Sequence, residues 1–435
     1  MHVGGLMLLE IPEGAGPDFV DQFYRRLLKA GDLQPAFCRR PATLFGGIAN
    51  AVWGYDDDVD LEYHVRHSAL PAPGRVRELL ELTSRLHGSP LDRYRPLWEV
   101  HVVEGLRDGR FAVYLKIHHA LTDGVSMLRQ LGRTLSVDPD ETELRALWSI
   151  APTGSASRPR PATPGPVSEL AGLIKGAAAL GPSTLRLARA ALWEQQLTLP
   201  FEAPRTMFNV KIGGARRCAA QSWPVERVIA VKRAAGVSVN DVVLAMCSGA
   251  LRAYLEERQA LPEHPLVAMV PVSLRSAAEA DSGGNMVGAI LCNLATDVDD
   301  PGVRLATISD SMRCNKKLFA ELPRTQALAL SAANMAPLAL GALPGFVSAV
   351  RPPFNIVISN VPGPAEPMYW GGARLDGNYP MSIVMDGQAL NMTVVSNGGN
   401  LDFGLVGCRR SIPSLQRLLG HLDTALQDLE NAVGV

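Results

Sequence analysis

Seven consecutive residues hold the densest chemistry in the chain: His118-His119-Ala120-Leu121-Thr122-Asp123-Gly124. An imidazole can take up a proton near neutral pH. At the end of a strand it can project into a cleft while the sheet holds its backbone, which suits a general base. The same residues have a plainer reading, in which two histidines end a strand, Asp123 caps the next helix and Gly124 relieves crowding at the turn. A metal site fits poorly, because adjacent strand residues point to opposite faces and no third Cys, His or Glu ligand stands nearby. Neither a metal nor a bound cofactor is expected. A serine nucleophile is unsupported as well, since there is no GxSxG elbow and Ser248-Gly249 lacks the first glycine.

The elements that must position these residues can be read from periodicity. Arg110–Ile117 (RFAVYLKI) runs into the histidines as a strand, and Val125–Leu135 (VSMLRQLGRTL) follows them as a helix. Val76–His87 has helical spacing and Trp98–Val103 alternates like a strand, so the first part is mixed α/β. Ser238 is placed as a helix N-cap with Asp241 three residues on, and Val239, Val243, Met246, Ala250 and Tyr254 share one face of an amphipathic helix. Leu390–Val395 and Leu401–Gly407 flank Asn397-Gly398-Gly399-Asn400 as an antiparallel hairpin, and Pro413–Val433 reads as helix.

At 435 residues the chain is longer than one usual domain. The Pro/Ser/Gly stretch Ala151–Pro166 divides it, giving a first domain at 1–150, a linker with connecting helices at 151–204, and a second domain at 205–435. Lys plus Arg (42) nearly cancels Asp plus Glu (43) with no basic run, which removes nucleic acid as a partner. The six cysteines show no CxxC pair, and no signal peptide is evident, so free thiols in a reducing cytoplasm are expected. Thr325–Val350 lacks charge and could span a bilayer by length alone, but Asn334, Pro337, Gly341 and Pro344 interrupt it. Helical segments that are buried or rest on a lipid surface fit it better.

HHxxxDG is the signature of the coenzyme A-dependent acyltransferase superfamily, and the remaining chain resembles the bacterial wax ester synthase/diacylglycerol acyltransferase family. The resemblance is carried by Asp60–Pro71 (DLEYHVRHSALP), Pro96-Leu97-Trp98, Glu104-Gly105-Leu106, Asn240-Asp241, Pro271–Arg275 (PVSLR), Asn355–Pro364 (NIVISNVPGP), Gly387–Asn391 and Asp402–Leu405. The chain departs from the family where it opens at Met1-His2-Val3-Gly4-Gly5, since relatives usually carry a short leader, and in its Ala151–Pro166 linker.

The resemblance implies two chloramphenicol-acetyltransferase-like domains, each a mixed sheet with packed helices, and an active site in the channel between them. It implies an acyl-CoA donor and a fatty alcohol or diacylglycerol acceptor, with His119 taking the acceptor's proton and no covalent enzyme intermediate. His118 would then support the motif, Asp123 would hold its geometry, Gly124 would leave room for substrate, and Asn240 would donate to the oxyanion or else cap its helix. A different alcohol acceptor and a non-catalytic lipid-inclusion protein are the competing readings. Peripheral association with the inner membrane or lipid inclusions is expected. Pro96-Leu97-Trp98 is expected to pack beneath the histidine strand. Arg216, Arg217, Lys316 and Lys317 are available cations for the donor's phosphates, without a placed site.

Overall fold

A computed structural model describes residues 2–44, 49–121, 124–151, 201–273, 287–322 and 350–435, with positions 326–327, 330–331, 334–335 and 347 between. In chain order the elements are β1 (His2–Glu10), α1 (Phe19–Lys29), β2 (Arg39–Leu44), β3 (Ala49–Tyr55), α2 (Leu61–His64), β4 (Val65–Ala69), α3 (Val76–Gly88), β5 (Trp98–Glu104), β6 (Arg110–His118) and α4 (Gly124–Gly132). The second half follows with β7 (Arg216–Pro224), α5 (Val225–Ala235), α6 (Val239–Glu256), β8 (Val267–Ser273), β9 (Val287–Asn293), α7 (Pro301–Glu321), β10 (Ile356–Val361), β11 (Tyr369–Trp370), β12 (Ala373–Met381), β13 (Leu390–Asn397), β14 (Asn400–Cys408) and α8 (Arg417–Val433).

Two six-stranded mixed sheets result, ordered β11-β12-β1-β6-β5-β4 and β7-β14-β13-β10-β8-β9, with β2 and β3 as a separate hairpin. Alternation along β6 decides its two faces. Phe111, Val113, Leu115 and Ile117 join the core under α1, while Ala112 and Tyr114 join a second cluster with Leu6, Leu79, Cys218, Tyr379 and Val406. That second cluster draws on both sheets and seals one half of the molecule against the other.

The sheet of the first half is completed by the second half. β12 runs antiparallel to β1, from Gly4↔Met381 to Glu10↔Arg374, and β11 lies outside it. Without this strand β1 would present an unpaired edge, which is a reason for the crossover. Composition places residues 205–435 in one block, and a composition shift carries no sign of two strands leaving it. The linker and connecting helices assigned to 151–204 lie outside the described residues except for 151 and 201–204.

Local expectations hold to within a few residues. The hairpin turns on Gly398-Gly399, with Asn397 paired to Asn400 and Gly398 at φ +56°. The final helix starts at Arg417, later than Pro413. The helix read as amphipathic, α6, buries Val242 through Ser248 without a break, because the sheet, α7 and α8 enclose it. No single described helix is long and apolar enough to cross a membrane. Most of Thr325–Val350 lies outside the described residues.

Candidate active site

β6 stops at His118, and His119 is the first residue of the turn that follows. The alternation argument for opposite faces therefore does not reach His119: the turn aims it, and its side chain is exposed. His118 is held from several sides. Its backbone N–H donates to Leu97 O at 2.9 Å, its carbonyl accepts from Leu121 N at 2.9 Å, and its Nδ1 accepts from Ala120 N at 3.2 Å. Burial, then the positive chain terminus and the neighbouring His2, His119 and Arg93, push the His118 imidazole down to about 4, so it is neutral at pH 7.

Pro96-Leu97-Trp98 is the packing element beneath this strand. Leu97 supplies the carbonyl to His118, and Trp98 is wholly buried, stacked between His64 and Trp148 at ring distances of 4.4 and 5.1 Å. Its indole N–H donates to Phe37 O at 2.8 Å.

The other face of β6 carries a polar network that periodicity did not assign. His2 lies opposite His118 in the β1–β6 register, and its Nε2–H donates to His87 O at 2.7 Å. Burial lowers His2 to about 4. His87, at the end of α3, donates from Nε2 to Ser382 O at 3.3 Å and accepts the Tyr114 hydroxyl at Nδ1 at 2.8 Å. Lys116 places Nζ 2.9 Å from Glu99 Oε2 and donates to Leu86 O and Ser89 O at 3.1 and 3.2 Å. Burial alone would raise the Glu99 carboxyl, but His101 and Lys116 outweigh it and hold it at about 2. The signal in the sequence is Glu99 and Lys116 at facing positions, with His101 two residues beyond Glu99 on the same face, in strands whose interiors are otherwise apolar.

Asn240 belongs to the other half, as the second residue of α6. It is not the cap. Ser238 Oγ accepts from Asp241 N at 3.2 Å, and Asp241 Oδ2 accepts from Ser238 N at 2.9 Å, a complete capping box. The half-buried Asn240 side chain makes no hydrogen bond among the described residues, and none joins it to either histidine. Gly124 opens α4, while Thr122 and Asp123 lie outside the described residues. Lys316 and Lys317 are exposed on α7, whereas Arg216 and Arg217 begin β7. Among the described residues no group of three His, Cys, Asp or Glu could hold a metal ion.

Several family-like segments turn out to be joints in the scaffold. A Cβ on Gly404 would lie 1.9 Å from Pro380 O, and one on Gly363 would lie 2.0 Å from Ser396 O, so both backbones approach too closely for a side chain. Asn355 is fully buried, accepting from Val267 N at 2.9 Å and donating to Pro204 O at 2.6 Å. Leu274 and Arg275 of the PVSLR segment lie outside the described residues.

The two-sheet architecture is that of condensation domains. The chain superposes on the first condensation domain of the calcium-dependent antibiotic synthetase with a TM-score of 0.56 at 20% identity, over 99% of this chain and 91% of that one, a likeness of fold alone. The wax ester synthase/diacylglycerol acyltransferase catalytic domain matches residues 1–243, and the C-terminal domain of the same family matches 283–430. A Mycobacterium tuberculosis H37Rv chain named "Probable diacyglycerol O-acyltransferase tgs2" is 66% identical, with 100% of this chain and 96% of that one covered. The wax ester synthase/diacylglycerol acyltransferase from Marinobacter aquaeolei VT8 is 42% identical with a TM-score of 0.80, covering 100% of this chain and 95% of that one. The chain belongs to the wax ester synthase/diacylglycerol acyltransferase family and is an acyltransferase.

Proposed function

We propose that this protein transfers a fatty acyl group from acyl-CoA to the hydroxyl of diacylglycerol or of a long-chain alcohol, with His119 as general base. The observation that carries the reading is an exposed imidazole on the turn after β6, next in the chain to a His118 that is neutral and held by backbone hydrogen bonds. His119 takes the proton of the acceptor hydroxyl as its oxygen attacks the thioester carbonyl. The tetrahedral intermediate collapses with cleavage of the C–S bond, and the thiolate leaves with the proton returned from His119. Asn240, not engaged in capping, is the donor assigned to the oxyanion. Asp123 is assigned to holding the motif's geometry and Gly124 to leaving room for the substrate. The relatives' names favour diacylglycerol over an alcohol as acceptor.

Such apolar substrates reside in membranes or lipid inclusions, so the protein works at a lipid surface on the cytoplasmic side. The test is thiol release from palmitoyl-CoA with diacylglycerol or hexadecanol supplied separately, and the same assay on His119→Ala. Loss of about two to four orders of magnitude in turnover by a folded variant supports the base assignment. An unchanged rate removes it. If neither acceptor drives release, the acceptor class is wrong and a non-catalytic lipid-binding role takes its place.

A further inference from the structure

One end of the second sheet gathers cations that the acyl-transfer chemistry has not used. Arg216 and Arg217 start β7 opposite Cys408 and Gly407 of β14, and Arg409 and Arg410 follow β14 directly. Backbone bonds tie the two segments together. Arg409 N donates to Ala215 O at 3.1 Å, and the Arg410 guanidinium donates to Lys211 O at 3.1 Å. Lys211, Arg409 and Arg410 are exposed, and Arg216 and Arg217 are half-buried.

Among the described residues none of these five cations has a carboxylate within ion-pair distance. Arg227, Arg252, Arg258 and Arg417 of the same half each do. The nearby Asp386 spends Oδ1 on Ile212 N at 2.9 Å. Burial lowers the Arg216 guanidinium below its usual range and outweighs the attraction of Asp386, which is too far away to form an ion pair. Arg216 Nη1 donates to Gly213 O and Ala215 O, which leaves its other nitrogens. Like charges gathered with no carboxylate in contact favour a multivalent anion, and guanidinium forks match phosphate oxygens.

The cluster adjoins the histidine strand. A Cβ on Gly88, the last residue of α3, would lie 3.4 Å from Arg216 N, and the preceding His87 carbonyl holds His2, which lies opposite His118. The end of α3 thus touches both the cation cluster and the strand that delivers His119. Leu86 O in the last turn of α3 and Ser89 O just beyond it are served by Lys116, not by the arginines.

We propose that Lys211, Arg216, Arg409 and Arg410 form the site for the phosphate groups of coenzyme A, anchoring the donor so that its thioester reaches His119, while Arg217 points to the opposite face of β7. The assignment rests on the acyl-CoA reading given above. Phosphate chemistry has a second source, the headgroups of an anionic lipid surface, and the experiment separates the two.

The variant is Arg409→Ser/Arg410→Ser, both exposed positions, with Lys29→Gln on α1 as a control cation. Three probes are used: calorimetric titration with free coenzyme A and with 3′-dephospho-coenzyme A, sedimentation with phosphatidylglycerol vesicles, and kinetics with palmitoyl-CoA against palmitoyl-pantetheine. The double variant is expected to bind coenzyme A roughly tenfold more weakly and to raise KM for palmitoyl-CoA by a similar factor, since charge-assisted hydrogen bonds are lost. Its kcat and its rate with the phosphate-free palmitoyl-pantetheine should match the parent and the Lys29→Gln control. Unchanged coenzyme A binding overturns the proposal, as does weakened vesicle binding alone, which would assign the cluster to lipid headgroups. If the parent turns over neither thioester, the acyl-transfer reading fails, while the titration still decides the phosphate site.

Discussion

Lys116 and Glu99 stand directly opposite each other on β6 and β5, with Nζ 2.9 Å from Oε2 and only 1% and 6% of the two residues exposed. The pair is a buried cross-strand ion pair two residues before His118. It joins three elements, because Lys116 also donates to Leu86 O in the last turn of α3 and to Ser89 O just after it.

Removing one partner leaves an uncompensated charge in the interior. Glu99→Gln is expected to cost about 3 to 5 kcal/mol in denaturant unfolding, whereas Glu99→Leu/Lys116→Met should cost less, about 1 to 3 kcal/mol, chiefly for the Leu86 and Ser89 carbonyls that lose the Lys116 donor. The double variant should still lose activity, because Lys116 no longer ties β6 to α3 beside the histidines. Equal stabilities for Glu99→Gln and the parent would refute the pairing as a structural element.

The site makes the fold sensitive to acid. His2 and His118 are each held at about 4 against an unfolded value near 6.5, so the unfolded chain binds more protons between those limits and stability falls as pH drops through that window. Asp402, raised to about 6 by burial, acts in the opposite sense below its own pKa, since the folded state then holds the proton. Burial lowers His64 and His87 in the same direction, so four histidines against one carboxyl leave a net loss of stability on acidification. Thermal midpoints recorded from pH 7 to 4 should fall, and fall less steeply in His2→Asn.

Three glycines separate close approach from open space. Gly404→Ala and Gly363→Ala should destabilise at or above the upper end of the roughly 1 to 3 kcal/mol typical of overpacking, because each Cβ would strike a backbone carbonyl at 1.9 or 2.0 Å. Gly420, exposed in α8 with nothing near its missing Cβ, should give a gain of about 0.5 to 1 kcal/mol as Gly420→Ala. The three midpoints in one denaturant series check the ranking.

Asn240 and Ser238 should part company under mutation. Ser238→Ala removes the cap and should cost about 1 kcal/mol of stability. Asn240→Ala removes no hydrogen bond seen among the described residues, so its melting temperature should hold while kcat falls about 100- to 1,000-fold, the usual loss for one oxyanion donor. A variant with full kcat would take Asn240 out of the mechanism.

Strand and helix periods, the Ser238–Asp241 box, the Asn397–Asn400 turn and the HHxxxDG block were legible in the sequence because each depends on neighbours a few residues apart. Gly363, Gly404 and Asn355, which lie in the segments that carry the family resemblance, are held by close backbone approach or full burial, and their residue types are visible in the sequence although the contacts are not. Tertiary structure alone decided the rest. The pairing of β12 with β1 joins residues more than 360 positions apart, from Glu10↔Arg374 to Gly4↔Met381, and no local period encodes a partner at that distance. The opposition of Lys116 to Glu99, and the meeting of Arg216 with the end of α3, depend on register and packing between elements. A sequence pattern names the face of a strand, but which charges share that face is settled only when the sheets close on each other.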